Sequence, residues 1–214
     1  IDHYIDSHLF PNDPILTQTL KHTAERGFPD HLAVAPNQGM LLQMLIQMNK
    51  CKRILELGTF AAYSTLWLAR ALPEDGYILT SEGRDTHAVL GVENIDATKV
   101  PHTIDLKVGR AADLLRAVPE DTVAFDLLFI DADKQSYPEY LELSLNLSHS
   151  GTIIVLDNVI RSGAILDQNN VKPSIEGIRQ MFEALSNHPR ILSCTALQTV
   201  GSKGHDGFAL AIVK

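Results

Sequence analysis

Acidic and amide side chains that could hold a divalent cation stand at the ends of two apolar runs. The run at residues 125–130 leads into Asp131-Ala132-Asp133-Lys134, and the run at residues 151–156 leads into Asp157-Asn158. One helical stretch separates the runs, so we expect two parallel strands that bring these side chains to one edge of a sheet. Carboxylate and amide oxygens suit Mg²⁺, Mn²⁺ or Ca²⁺ rather than a structural zinc. The alternative is that the acids cap helices, which Asp does well.

Lys134 is the candidate catalytic base, because it directly follows the acidic pair. A metal ion and a cationic cofactor nearby would disfavour its ammonium form, so the side chain could accept a proton near neutral pH. An exposed surface lysine is the alternative interpretation.

A cofactor site is indicated where the apolar run at residues 53–57 meets Gly58. Glycine lets a backbone approach a ligand outside the carboxyl end of a strand. Glu82 ends the next apolar run, where it could accept hydrogen bonds from ribose hydroxyls. The turn after Gly58 lacks G-x-G-x-x-G, which favours a nucleoside cofactor without phosphates over NAD. An ordinary strand-to-helix turn and an exposed acid are the alternatives.

Alternating apolar runs and helical stretches would position these side chains. The apolar runs lie at residues 53–57, 77–81, 104–108, 125–131 and 151–156, and the helical stretches between them at about 62–72, 86–98, 111–117 and 135–147. This alternation predicts an α/β fold with a parallel sheet and right-handed crossovers. After a helix at about 174–187, two strands near 190–197 and 206–213 predict a hairpin and an antiparallel sheet edge.

The N-terminal part is predicted to be a helical extension, residues 1–31, ahead of a catalytic core at residues 32–214 in one domain. The segment at residues 32–39 is extended and could close over a ligand. An amphipathic helix follows, and we interpret its methionines as core or subunit-interface residues. Its apolar positions are Met40, Leu41, Met44, Leu45 and Met48.

Composition excludes several classes of protein. The 214-residue chain has a formal net charge of −8, which argues against a dedicated nucleic-acid binder. No run approaches the ~18 apolar residues that a membrane span needs. Cys51 and Cys194 have neither metal-ligand nor disulfide-framework spacing, which predicts a reduced cytoplasmic protein. The chain starts without Met, so a removed organellar leader stays open.

Together these stretches resemble the class I S-adenosylmethionine-dependent methyltransferases, and more narrowly the small cation-dependent O-methyltransferases of the catechol and caffeoyl-CoA type, in their microbial form. The resemblance covers about residues 32–214. It implies a three-layer Rossmann-like fold, with helices on both faces of a mostly parallel seven-stranded sheet whose last strand is antiparallel. The stretches that carry it are Leu55-Glu56-Leu57-Gly58-Thr59-Phe60, Tyr63-Ser64, Asp131-Ala132-Asp133-Lys134, Asp157-Asn158-Val159 with Gly163, and Asp206-Gly207.

The resemblance also implies roles for individual residues. Asp131, Asp157 and Asn158 would bind the metal, and the catalytic set would be Lys134 as base with Asp131 and Asn158. Glu82 would hold the ribose. The cofactor-binding positions would be Val34, Glu56, Gly58, Phe60, Ser64, Glu82, Gly109, Arg110, Ala111, Asp131, Asp133 and Tyr140. Candidate substrate-pocket residues, on position alone, are Tyr137, Arg161 and the loop at residues 203–205.

Three positions depart from the family pattern. Ala62 stands where glycine is usual, and its methyl group could narrow the cofactor turn. Gly83-Arg84-Asp85 replaces the usual hydrophobic-Asp-Pro after Glu82, and Arg110 replaces a small or acidic residue. None of these changes removes a predicted metal ligand or the base.

The implied reaction is methyl transfer from S-adenosylmethionine to a hydroxyl of a vicinal dihydroxy aromatic compound, with S-adenosylhomocysteine as product. A divalent cation (Mg²⁺, or else Mn²⁺ or Ca²⁺) would assist. The resemblance further implies a small phenolic substrate, no nucleic-acid or membrane partner, and a homodimer. Two alternatives stay open: an NAD(P)-dependent oxidoreductase on a similar sheet, and a non-catalytic protein that only binds a cofactor or partner.

Overall fold

A computed structural model of the chain describes residues 1–10, 13–101, 103–119 and 121–214. Pro11 and Asn12, which belong to the predicted N-terminal extension, lie outside the described residues. The strands are β1 Arg53–Leu57, β2 Tyr77–Glu82, β3 Thr103–Val108, β4 Phe125–Ile130, β5 Ser148–Asp157, β6 Ile191–Gly201 and β7 Gly204–Val213. The α-helices in the described part are α1 Asp2–Leu9, α2 Pro14–Glu25, α3 Pro36–Asn49, α4 Tyr63–Ala71, α5 Asp85–Thr98, α6 Ala111–Ala117, α7 Tyr137–Asn146 and α8 Pro173–Asn187.

The seven strands form one sheet in the order β3-β2-β1-β4-β5-β7-β6. Strands β1 to β5 pair in parallel, whereas β7 runs antiparallel to both β5 and β6. The predicted α/β class, the seven strands and the antiparallel last strand are therefore confirmed. The predicted closing hairpin is also present, and β6 is its edge strand.

Alternate side chains of the central strands face two different cores. Leu55 and Leu57 of β1 pack with helices α6 to α8, whereas Ile54 packs with α3 and α4. Because both faces are buried, the strands read as continuous apolar runs, as expected for a parallel sheet covered by helices. The predicted three layers are thus confirmed.

Strand register brings the predicted site residues to one edge. Leu57, the last residue of β1, pairs with Ile130, and Ile130 pairs in turn with Leu156. Asp131 directly follows Ile130, and Asp157 directly follows Leu156. These two residues therefore share the carboxyl edge of the sheet, where ligands bind in open α/β folds.

Helix α3 buries a face shifted from the predicted one: of the five predicted apolar positions, Met40, Leu41 and Leu45 pack against the core but are only partly buried. Its buried residues are Gly39, Leu42 and Ile46, whereas Met44 and Met48 are 48% and 75% exposed. The reason is a close approach at Gly39, where an added Cβ would lie 2.5 Å from the Trp67 ring. The interpretation of Met44 and Met48 as core residues was wrong; their interpretation as interface residues stays a prediction.

Candidate active site

Asp131 and Lys134 form an ion pair at the end of β4. The Asp131 backbone N–H donates to the Leu57 carbonyl at 2.8 Å, so the turn after β4 is fixed against the end of β1. A short 3₁₀ turn, Lys134–Ser136, then returns the chain, and the Lys134 ammonium lies 2.5 Å from Asp131 Oδ1. Both side chains are largely buried, at 12% exposed for Lys134 and 24% for Asp131. The alternative of an exposed surface lysine is therefore excluded.

Asp157 is a buried carboxylate at the end of β5, only 5% exposed. Its Oδ1 accepts the backbone N–H of Asn158 at 2.8 Å. Burial is the largest cause of the raised pKa of Asp157, which is about 7; the nearby Asp131 carboxylate acts in the same direction and Lys134 in the opposite one. A buried carboxylate beside a second carboxylate creates a place for a positive group.

Asn158 leaves β5 with a positive φ of 55°, a conformation that Asn tolerates better than most residues. The chain therefore turns sharply after Asp157, and Asn158 lines the cavities described below.

Tyr137 connects the ends of β4 and β5 through its hydroxyl group. Its hydroxyl lies 3.0 Å from the Ile130 carbonyl oxygen and 2.7 Å from the Asp157 carbonyl oxygen, so it donates to the backbone of both strands. Its side chain is fully buried. The expectation that Tyr137 lines a substrate pocket was wrong, because the first turn of α7 directs its ring into the core.

Glu56 is a second buried carboxylate, located on β1. It accepts hydrogen bonds from the hydroxyls of Ser64 at 2.6 Å, Thr65 at 2.5 Å and Thr80 at 2.7 Å. Burial raises its pKa to about 7 despite these three donors. Glu56 is therefore hydrogen-bonded, through Ser64, to the first turn of α4.

The turn from β1 to α4 approaches β4 closely at Gly58. Gly58 has φ +103°, and an added Cβ would overlap the Asp131 carbonyl oxygen. Ala62 has φ 59° and is fully buried. Ala62 does not line the larger of the two cavities described below. The expectation that its methyl group narrows the turn stays a prediction.

Glu82 faces the same turn from the end of β2. Its carboxylate accepts the backbone N–H of Phe60 at 2.8 Å and that of Arg84 at 2.9 Å. His87 of α5 lies 3.5 Å away, and its ring packs against Phe60 with centroids 4.9 Å apart. Glu82 is therefore held by backbone and side chains at the cavity wall, so the alternative of an exposed acid is excluded.

Two cavities meet at the carboxyl edge of the sheet. The larger, of about 650 Å³, extends from Gly58 and Glu82 to Lys134. The smaller, of about 350 Å³, contains Asp157 and Arg161. Both are lined by Leu32, Ala33, Val34, Asp131 and Asn158. The extended segment before α3 thus covers the junction of the cavities, and Asp131 stands between them.

Most of the predicted site residues come together at these cavities. Ten of the twelve predicted cofactor-binding residues line the larger cavity, the exceptions being Glu56 and Gly109. Lys134 and Asn158 line it as well. Asp157, Arg161 and Lys203 line the smaller cavity. The individual roles of these residues stay predictions.

His87 and Gln38 are among the residues at these cavities that sequence reasoning missed. His87 lines the larger cavity, and its place in the first turn after β2 could have indicated it. Gln38 lines the smaller cavity, but nothing in its sequence context distinguishes it from other polar residues of α3.

Comparisons with known proteins agree with this architecture. A family model described as O-methyltransferase matches residues 6–211. A catechol O-methyltransferase of Niastella koreensis is 45% identical over the whole chain and 96% of its own length. An O-methyltransferase of Bacillus cereus, solved with S-adenosylhomocysteine, is 42% identical with a TM-score of 0.95, covering all of this chain and 96% of its own. One from Streptomyces achromogenes, solved with S-adenosylmethionine, is 39% identical with a TM-score of 0.93, covering 99% and 95%.

Proposed function

We propose a substrate class and a metal requirement for this chain, which belongs to the O-methyltransferase family and is an S-adenosylmethionine-dependent O-methyltransferase. It transfers the methyl group to one hydroxyl of a catechol-type substrate, such as a flavonoid or phenylpropanoid with vicinal hydroxyls, with the help of a divalent cation. The observation that supports this most is the junction of a cofactor-sized cavity with a smaller one at Asp131 and Asn158, with Lys134 in the larger cavity.

The donor set fits a divalent cation. Among the residues that the structure describes, no group of three or more His, Cys, Asp or Glu side chains is arranged to hold a metal. The proposed set has only two such residues, Asp131 and Asp157, and its third ligand is the amide oxygen of Asn158. Buried carboxylates are normally paired or bound to metals, and Asp157 has the raised pKa of a carboxylate that lacks such compensation. Oxygen ligands favour Mg²⁺, with Mn²⁺ or Ca²⁺ as further possibilities.

The chain's own residues then perform the proton transfer. A bound cation would supply charge that lowers the pKa of a substrate hydroxyl. Asp131 would share its carboxylate between the cation and Lys134, so the ammonium form of Lys134 would lose part of its support. Lys134 would then accept the hydroxyl proton, and the resulting oxygen anion would attack the methyl group of S-adenosylmethionine in the larger cavity. The oxygen–carbon bond would form as the carbon–sulfur bond breaks, and S-adenosylhomocysteine would leave. Positioning by Asp131, Asp157 and Asn158 would supply much of the rate.

Replacing Lys134 or Asp157 tests this mechanism. We expect Lys134→Ala and Asp157→Ala each to lower the rate of methyl transfer about 100-fold or more, the usual contribution of a general base, while S-adenosylhomocysteine still binds. The matched control is Lys107→Ala, since Lys107 of β3 is ion-paired to Asp105 at 2.9 Å and lines neither cavity. Full activity in either site variant would contradict the metal-and-base mechanism. Binding without transfer in the unmodified protein, across a broad panel of phenols, would favour a non-catalytic protein.

We also propose that the protein is a homodimer. The exposed apolar side chains of Met44 and Met48 on α3 support an interface there. Sedimentation of the unmodified protein should give twice the chain mass of 23.6 kDa, and Met48→Glu should shift it towards the monomer. A monomer at all concentrations would contradict this assignment.

A further inference from the structure

Gln38 places an amide beside Asp157 without completing a hydrogen bond. It lies in the first turn of α3 and lines the smaller cavity together with Asp157. Its Nε2 is buried and has no hydrogen-bond partner among the residues that the structure describes. A buried donor left in this state is destabilising, so a group that accepts a hydrogen bond from it would stabilise the fold.

The Asp157 carboxylate is an acceptor that lines the same cavity as Gln38 and is only 5% exposed. An N–H that faces a buried carboxylate stabilises its charged form. An amide oxygen in the same place would repel the carboxylate, so the nitrogen must face it. Asp157 Oδ1 already accepts from the Asn158 backbone, and Gln38 offers a second donor to the same group.

The backbone next to Gln38 is closely packed. The next residue, Gly39, touches the Trp67 ring so closely that a Cβ has no room there. The start of α3 is therefore packed closely against α4, so the hydrogen bond would form by rotation of the Gln38 or Asp157 side chain rather than by movement of this backbone.

We propose that Gln38 is a positioning residue for Asp157: its Nε2 donates to the carboxylate and fixes the direction in which the remaining oxygen lone pairs face the cation. This inference rests on the proposed function, because it assigns Asp157 a metal to bind. Groups that orient metal ligands in this way typically contribute 10- to 100-fold to metal affinity.

Titration with Mn²⁺, followed by the electron paramagnetic resonance signal of the free ion, tests the inference without measuring catalysis. The full chain is saturated with S-adenosylhomocysteine, and Gln38→Leu and Gln38→Met remove the donor while keeping side-chain bulk. Gln47→Leu is the matched control, because Gln47 is exposed on the same helix. We expect Mn²⁺ dissociation constants at least about 10-fold higher for both Gln38 variants and unchanged for the control.

S-adenosylhomocysteine affinity, measured on the same samples, should stay unchanged and reports that each variant is folded. Two variants are used so that one poorly folded protein does not decide the result. Unchanged Mn²⁺ affinity in either folded Gln38 variant overturns the positioning role alone. Failure of the unmodified protein to bind Mn²⁺ overturns the cation in the proposed function, and the role of Gln38 with it.

Discussion

At the scale of single residues, Glu56 gives the clearest pH dependence. Burial raises its pKa from the usual 4.5 to about 7. Below pH 4.5 the side chain is protonated in both folded and unfolded chains, and its contribution to stability is fully present. As the pH rises towards 7 the unfolded chain ionises first, so this contribution is lost; a shift of this size corresponds to about 3 kcal/mol.

Glu56→Gln should remove this pH dependence. The free energy of unfolding, measured by urea denaturation from pH 4.5 to 7.5 without added metal, should fall more steeply for the unmodified protein than for the variant. Asp157 titrates in the same direction, so the difference between the two proteins isolates Glu56. The exposed Glu183→Gln is the matched control. Parallel pH profiles for the unmodified protein and Glu56→Gln would contradict the raised pKa.

Residue types at strand ends could be predicted because they interrupt apolar runs. Asp131, Asp157 and Glu82 stand out in this way, and all three lie at the cavities. Gln38 and Tyr137 could not be assigned from the sequence, because their positions depend on how α3 and α7 pack against the sheet. A polar residue in a helix and a tyrosine after a turn look the same in sequence wherever their side chains point.

At the scale of elements, the turn between β1 and α4 depends on Gly58. Gly58→Ala should lower the free energy of unfolding by about 3 kcal/mol or more, because the new Cβ overlaps the Asp131 carbonyl and strains a left-handed backbone. It should also weaken binding of S-adenosylhomocysteine, since the ends of β1 and β4 must separate. Calorimetric unfolding and titration measure the two effects.

Gly151→Ala is the control for the cost of placing alanine at a positive φ without a steric overlap. Gly151 has φ +90°, but an added Cβ there meets nothing within 4 Å. Its substitution should therefore cost only about 1–2 kcal/mol and leave cofactor affinity unchanged. Equal losses in the two variants would contradict the close approach at Gly58.

Element types could be predicted where one periodicity dominates. The apolar runs at β1 and β4 are bounded by polar residues, and the structure has strands there. Helix α3 carries apolar residues on two faces, so its sequence does not decide which face is buried; the contact of Gly39 with Trp67 does. In the structure β5 starts at Ser148, ahead of the predicted residue 151. The prediction missed this part of the strand because His149 and Ser150 are polar and do not extend the apolar run.

At the scale of the whole molecule, the sheet is a platform that brings distant segments to one edge. Glu82 ends β2, Asp131 follows β4 and Asp157 ends β5, and strand order puts β1 between β2 and β4. The segment around Val34 closes over this edge from the N-terminal side and contacts both cavities. In the described residues, no helix is long and apolar enough to cross a membrane. The two cavities thus lie at one edge of the sheet and meet at Asp131.

The central claim is that a divalent cation at this edge is needed for methyl transfer. The most direct measurement is calorimetric titration of S-adenosylhomocysteine, followed by transfer from S-adenosylmethionine to a catechol, each with Mg²⁺ and with excess chelator. We predict cofactor binding in both conditions and methylated product only with Mg²⁺. Equal product formation in chelator would contradict the proposed role of Asp131, Asp157 and Asn158, and absence of cofactor binding would contradict the assignment of the larger cavity.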